Sequence, residues 1–136
     1  RVLFRSQRRA VVANYNAALA QIEEIHLPPC DDAAAHSWFV YVIRLADRFS
    51  QADRDSLMRQ LRREGIETAC YFPSIHLQPF IREALGTGRG DFPICEQVSD
   101  RTIALPFFTS MSQEQVHRIA EALKRTLVAI KNKQAV

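Results

Sequence analysis

The sequence predicts an α/β sandwich of the α+β kind, with helices packed on a small, mainly antiparallel sheet of three strands. Three observations carry that expectation. Apolar residues recur at helical spacing near both ends of the chain, three short apolar runs of strand character lie between them, and serine-led caps, glycines and prolines separate the pieces. At 136 residues, 47% hydrophobic and 24% charged, the chain is long enough for a single domain that buries roughly two-thirds of its unfolded surface.

Val11, Tyr15, Ala18, Leu19 and Ile22 share one helical face, which predicts a helix from Gln7 to about Glu24, and Pro28 with Pro29 ends anything helical. Asp31 to Ala35 reads as a short connection. Trp38 to Ile43 is apolar on both alternating faces, so it is expected to be a central strand covered on both sides. Ser50 with Asp53 forms an N-terminal capping pair for a helix from Gln51 to Glu64. Its core face is Leu57, Met58 and Leu61, its solvated face carries Arg54, Asp55, Arg59, Arg62 and Arg63, and Gly65 stops it. A second strand is expected over Ile66 to Tyr71, a short helix over Pro79 to Leu85 ended by Gly86, and a mobile turn over Gly86 to Gly90. Asp91 is expected to cap a helix through Val98 to about Asp100, and Thr102 to Leu105 is the third strand, closed by Pro106. Ser112 with Gln115 caps a long last helix whose core face is Val116, Ile119, Ala120, Leu123, Leu127 and Ile130.

Net charge is +3, yet the 18 basic residues are spread among 15 acidic ones. Only Arg1, Arg5, Arg8 and Arg9 cluster, with a single aromatic, Phe4, among them and no repeating aromatic pattern, so the sequence argues against a nucleic-acid partner. No apolar stretch approaches the roughly 20 residues that cross a bilayer, and no apolar signal core follows the basic start; the simplest expected compartment is the cytoplasm. Cys30, Cys70 and Cys95 are odd in number and widely spaced, so they read as reduced, packed thiols. The first residue is Arg rather than Met, which is expected of a piece of a longer chain.

Function is expected at Tyr71 to Pro79, where a strand-like run breaks into a loop bearing an imidazole, an amide and two prolines. Two readings of it stand side by side. In one, Tyr71, Phe72 and Leu77 plug into the core and His76 is a surface residue; in the other, His76 faces a ligand. His26, His36, His76 and His117 show no metal-ligand spacing, and Cys70 with His76 lacks an orienting third group for nucleophilic catalysis. Schiff-base chemistry needs a lysine in a pocket, whereas Lys124, Lys131 and Lys133 all fall on the last helix or its tail. The glycine-rich turn around Arg89 lacks the spacing of a phosphate loop.

The stretches HSWFVYV at 36 to 42, YFPSIHLQPF at 71 to 80 and GDFPICEQVSDRTIALPFFTSMS at 90 to 112, with the Gly65 to Thr68 turn, resemble the C-terminal end of the DegT/DnrJ/StrS sugar aminotransferases. The resemblance runs from about Gln7 to Leu127 and leaves Arg1 to Ser6 as an unmatched leader. It implies that residues 7 to 136 are the small domain of a homodimeric enzyme that uses pyridoxal 5'-phosphate (PLP) to move an amino group from glutamate to a keto sugar on a nucleotide. The cofactor lysine and the phosphate-binding residues would belong to a preceding large domain, so this chain alone is expected to be inactive and to expose faces meant for that domain. The positions that match the wall of the sugar-nucleotide cleft are Tyr71, His76, Leu77 and Gln78. A free-standing binding or regulatory module, and a relative that uses the same fold for sensing or dehydration, are the rival expectations.

Overall fold

The computed structural model describes residues 2–29 and 36–134. Cys30 and the expected connection from Asp31 to Ala35 lie outside the described residues. Helix α1 spans Val2–Leu19, so it begins and ends earlier than the apolar spacing predicts. Leu3 and Phe4 are exposed, which is why residues 2–6 carry no helical core pattern. After Leu19 the chain turns, with Ile22 N–H donating to the Leu19 carbonyl at 3.0 Å, and that reversal lets both Ile22 and Ile25 enter the core.

Ile25 opens a two-residue strand, β1 (Ile25–His26), which pairs with β2 (Tyr41–Leu45) through Ile25 opposite Leu45. β2 pairs in turn with β3 (Thr102–Leu105), with Ile43 opposite Ile103. Both pairings are antiparallel and the sheet has three strands in the order β1-β2-β3. The expected fold class therefore holds with one strand exchanged: β1 was not expected, and Ile66 to Tyr71 is no strand. That segment makes one bridge, Ala69 N–H to the Ala104 carbonyl at 3.1 Å and back at 2.8 Å. Its ladder stops there because Phe72 turns to a positive φ and Pro73 has no N–H to donate. β2 itself starts at Tyr41 rather than Trp38, and it is one-sided: Tyr41, Ile43 and Leu45 are fully buried while Val42 and Arg44 are half-buried.

Helix α2 (Gln51–Arg63) begins in the expected capping box, in which Ser50 Oγ accepts the Asp53 N–H at 3.2 Å and Asp53 accepts the Ser50 N–H at 2.8 Å. Gly65 ends it at φ +76, a conformation that costs glycine nothing and other residues strain. A short α3 (Pro79–Leu85) follows, then α4 (Pro93–Arg101) and the long α5 (Gln113–Gln134), whose start is fixed by the reciprocal Ser112 and Gln115 bonds. α1 and α2 both pack on α5. Leu57 and Leu61 from α2 and Leu123 and Leu127 from α5 are at most 1% exposed, and each such side chain contributes about 1.5 to 3 kcal/mol as an upper estimate.

The solvated face expected for α2 needs one correction. Arg54 is 6% exposed: its Nη1 donates to the Ser99 carbonyl at 2.8 Å, while Nε and Nη2 hold Asp55. It is buried because α4 packs across the start of α2. Asp91 does not cap α4, whose N-cap position is Phe92; its carboxylate instead accepts the Gly88 N–H at 2.7 Å. Cys70 and Cys95 are free and exposed rather than packed. No helix among the described residues is long and apolar enough to cross a membrane.

Candidate functional site

From Ala69 the chain runs through Cys70 and Tyr71 to Phe72, the one described non-glycine residue with a positive φ, at 50°. A bulky residue in that region costs about 1 to 3 kcal/mol of backbone strain and persists only where the surroundings impose it. Ser99 Oγ donates to the Phe72 carbonyl at 3.2 Å and so holds the segment in this conformation from α4. Ser74 is buried and precedes a single 3₁₀ turn, Ile75–Leu77, after which Gln78 adopts an extended backbone and Pro79 occupies the first turn of α3. A rigid proline-bounded loop results, placed between the sheet edge and α4.

The expectations for its side chains are partly inverted. Phe72 is 71% exposed instead of plugging into the core, and Tyr71, Leu77 and Gln78 are half-buried. His76 is not a surface residue: it is 8% exposed, and its Nε2 lies 2.8 Å from Glu96 Oε1. That nitrogen is thereby spent on the protein, and the expected ligand-facing imidazole is turned toward α4 through it. The side chains of Tyr71 and Gln78 have no hydrogen-bond partner among the described residues. Tyr71 sits against Phe72 at 4.5 Å and Phe39 at 6.3 Å between ring centroids, which makes one aromatic edge of the loop.

Glu96 is the residue that the sequence did not single out. Only 6% exposed, its carboxylate accepts the Gly90 N–H at 2.8 and 3.0 Å and the Phe92 N–H at 3.3 Å besides meeting His76. Thr87 Oγ1 closes the assembly by donating to the His76 carbonyl at 2.7 Å. The Gly86 to Gly90 turn, expected to be mobile, is thus tied down at both ends, and Arg89 pairs with Asp100. An acidic residue in the first turn of α4 was visible in the sequence, but its partners come from a turn whose conformation was not.

Burial pushes the Glu96 carboxyl up, but the Gly90 N–H, His76 and the Phe92 N–H together outweigh it and hold it below the usual carboxylate range. A carboxyl held low in the folded state stabilises above its unfolded value of 4.5, and that contribution is lost as pH falls through the folded value. Hydrogen-exchange protection at Gly90 and Phe92 is therefore expected to persist at neutral pH and to drop selectively below pH 4.5, with the α5 amides unaffected. Constant protection at Gly90 down to acid pH would contradict this account of Glu96.

No group of three or more His, Cys, Asp or Glu side chains is arranged to hold a metal among the described residues. Lys124, Lys131 and Lys133 are exposed on α5; Lys131 pairs with Glu24 at 3.2 Å, and Lys133 borders an open groove with Arg59, Arg63 and Arg125, so none of the three is a desolvated amine. The residues present do not fit PLP by themselves.

The profile of the DegT/DnrJ/EryC1/StrS aminotransferase family matches residues 3–124, and the chain belongs to that family. It is 31% identical over 121 residues to the dTDP-3-amino-3,6-dideoxy-alpha-D-galactopyranose transaminase of Aneurinibacillus thermoaerophilus, covering 88% of this chain and 31% of that protein. It is 28% identical over 119 residues to the spore coat polysaccharide biosynthesis protein SpsC of Bacillus subtilis, covering 87% and 31%. Among solved structures, Spr1654 of Streptococcus pneumoniae in its apo form superposes at a TM-score of 0.89 and 21% identity, covering 98% of this chain and 33% of that one. Its PLP form superposes at 0.85. The chain spans about a third of the length of these relatives.

Proposed function

We propose that this chain is the C-terminal small domain of a PLP-dependent aminotransferase that transfers an amino group from glutamate to a nucleotide-linked keto sugar, acting as a homodimer in the cytoplasm. The observation that carries the reading is the family match over residues 3–124, which includes the whole 71–80 loop. The cofactor is held by a preceding large domain, in accord with the exposed positions of Lys124, Lys131 and Lys133 here. The loop supplies one wall of the sugar-nucleotide cleft: Tyr71 and Gln78 offer unpartnered polar atoms to sugar hydroxyls or phosphate, Leu77 offers apolar contact, and His76 supports the wall through Glu96. Exposed Phe39, Phe72, Ile75 and Phe80 around the loop suit burial against the large domain rather than water.

The test is an assay of the full-length parent with PLP, glutamate and a panel of dTDP- and UDP-linked keto sugars. The expected result is equal formation of 2-oxoglutarate and amino sugar, seen by mass spectrometry; no product from any sugar would sink the reading. A companion experiment treats the chain alone with PLP and then borohydride. No single-site label is expected, and stoichiometric modification of Lys124, Lys131 or Lys133 would place the cofactor in the wrong part of the protein.

A further inference from the structure

We infer that α4 is a clamp that sets the shape of the 72–77 loop, with Glu96 as its central positioning residue; the inference rests on the sugar-nucleotide reading given above. Three residues of α4 reach three alternate residues of the loop. Ser99 Oγ donates to the Phe72 carbonyl at 3.2 Å, Cys95 Sγ lies 3.6 Å from Ser74 Oγ, and Glu96 meets His76 at 2.8 Å. Cys95 and Ser99 stand four apart on the helix, and Glu96 and Ser99 three apart, so the three share one face. A helix face is a rigid ruler, and here it fixes one backbone carbonyl and two side chains of a segment that has no ladder of its own.

The ruler is itself anchored. Arg54 of α2 holds the Ser99 carbonyl at 2.8 Å, and Arg101 at the end of α4 holds Asp47 at 2.6 Å; both arginines are more than nine-tenths buried. One path from the core helix α2 to the strained Phe72 backbone therefore runs through Ser99, beside the Cys70 Sγ contact with Met58 of α2 at 3.7 Å. Glu96 adds the third segment, because the same carboxylate gathers the Gly90 and Phe92 amides and thereby seats the 86–92 turn behind His76. With His76 pulled back, Tyr71 and Gln78 present polar side chains that have no hydrogen-bond partner among the described residues. The backbone that carries them is held before a ligand arrives, so less ordering entropy is lost on binding.

Glu96 is 6% exposed and its carboxylate is engaged by Gly90, Phe92 and His76, so its effect on a ligand passes through the loop. A glutamine at this position can keep its acceptor oxygen toward Gly90, Phe92 and His76, but its NH2 group then stands where Oε2 accepts the Gly90 N–H at 3.0 Å, donor against donor, and the carboxylate's charge is gone. Misplacement of a positioning group by about 1 Å can cost up to about 100-fold.

The experiment compares Glu96→Gln and Ser99→Ala with the unsubstituted full-length parent. Glu96→Gln is expected to raise KM for the sugar nucleotide about 10- to 100-fold, with kcat and the glutamate half-reaction near their parent values. Ser99→Ala is expected to raise the same KM by a smaller factor. Hydrogen exchange should accelerate within 72–77 and 86–92 in Glu96→Gln, and within 72–77 in Ser99→Ala, while α2 and α5 stay protected. Both half-reactions failing together, or an unchanged KM despite faster exchange, would overturn the clamp. Where Glu96→Gln fails to fold, Ser99→Ala carries the same comparison. A parent that turns over no sugar nucleotide would instead overturn the transaminase reading, and retained protection of 72–77 in both variants would overturn the clamp independently.

Discussion

Tyr15→Ala is expected to destabilise the chain by about 3 to 5 kcal/mol, the range for deleting a buried aromatic ring. Tyr15 is fully buried in α1, stacks on Tyr41 of β2 with ring centroids 4.6 Å apart, and donates its hydroxyl to the Pro106 carbonyl at 2.7 Å just past β3. One side chain thus touches the first helix, the central strand and the end of the last strand. Burial, and then the neighbouring Tyr41, hold its phenol well above the ordinary value, so it stays a neutral donor to that carbonyl. The alanine variant would lose the stack, leave a cavity beneath Tyr41 and release the Pro106 carbonyl together. Tyr15→Phe keeps the ring and removes only the donor, so about 1 to 3 kcal/mol is expected from the unsatisfied acceptor. Against a total of about 5 to 15 kcal/mol for a domain, the first change removes a large share and the second a modest one. Urea unfolding followed by circular dichroism would read both as shifts in midpoint at constant slope. Equal midpoints for the alanine and phenylalanine variants would show that the stack does not organise the core.

The elements that were legible in the sequence are those fixed within a few residues of themselves. Ser50 and Asp53 announce the start of α2, Ser112 and Gln115 that of α5, and Gly65 and Gly86 mark ends at which the backbone does turn left-handed. β1 escaped because two residues, Ile25 and His26, leave no alternation to read. The Ile66 to Tyr71 run misled because its composition favours a strand, while the positive φ at Phe72 that ends its pairing is held by contacts such as that of Ser99, 27 residues further on. Arg54, Arg101 and Glu96 were invisible as buried groups for the same reason. Their partners, Ser99, Asp47 and His76, lie 45, 54 and 20 residues away, and no local spacing encodes such a meeting. The 71–80 loop stands out in the sequence both by its prolines and imidazole and by its family resemblance. Neither route revealed that the imidazole is held from behind.

His76→Ala in the full-length parent is expected to lower kcat/KM for the sugar nucleotide about 3- to 100-fold, equivalent to about 0.7 to 2.7 kcal/mol and within the range for lost hydrogen bonds. The glutamate half-reaction should stay near normal, because in the proposed arrangement the loop walls the sugar nucleotide and takes no part in the amino-group chemistry. The buried contact with Glu96 makes the route of the effect testable. If His76 acts by holding the loop, the Glu96→Gln change has already released it, and the double variant should be little worse than His76→Ala alone. If His76 instead bonds the ligand directly, the two losses are separate and should add. Single-turnover rates for each half-reaction across the four proteins of this cycle supply the answer. Non-additive losses confined to the sugar-nucleotide half would support the supporting role; additive losses would return His76 to the ligand, and equal falls in both halves would remove the 71–78 loop from substrate recognition.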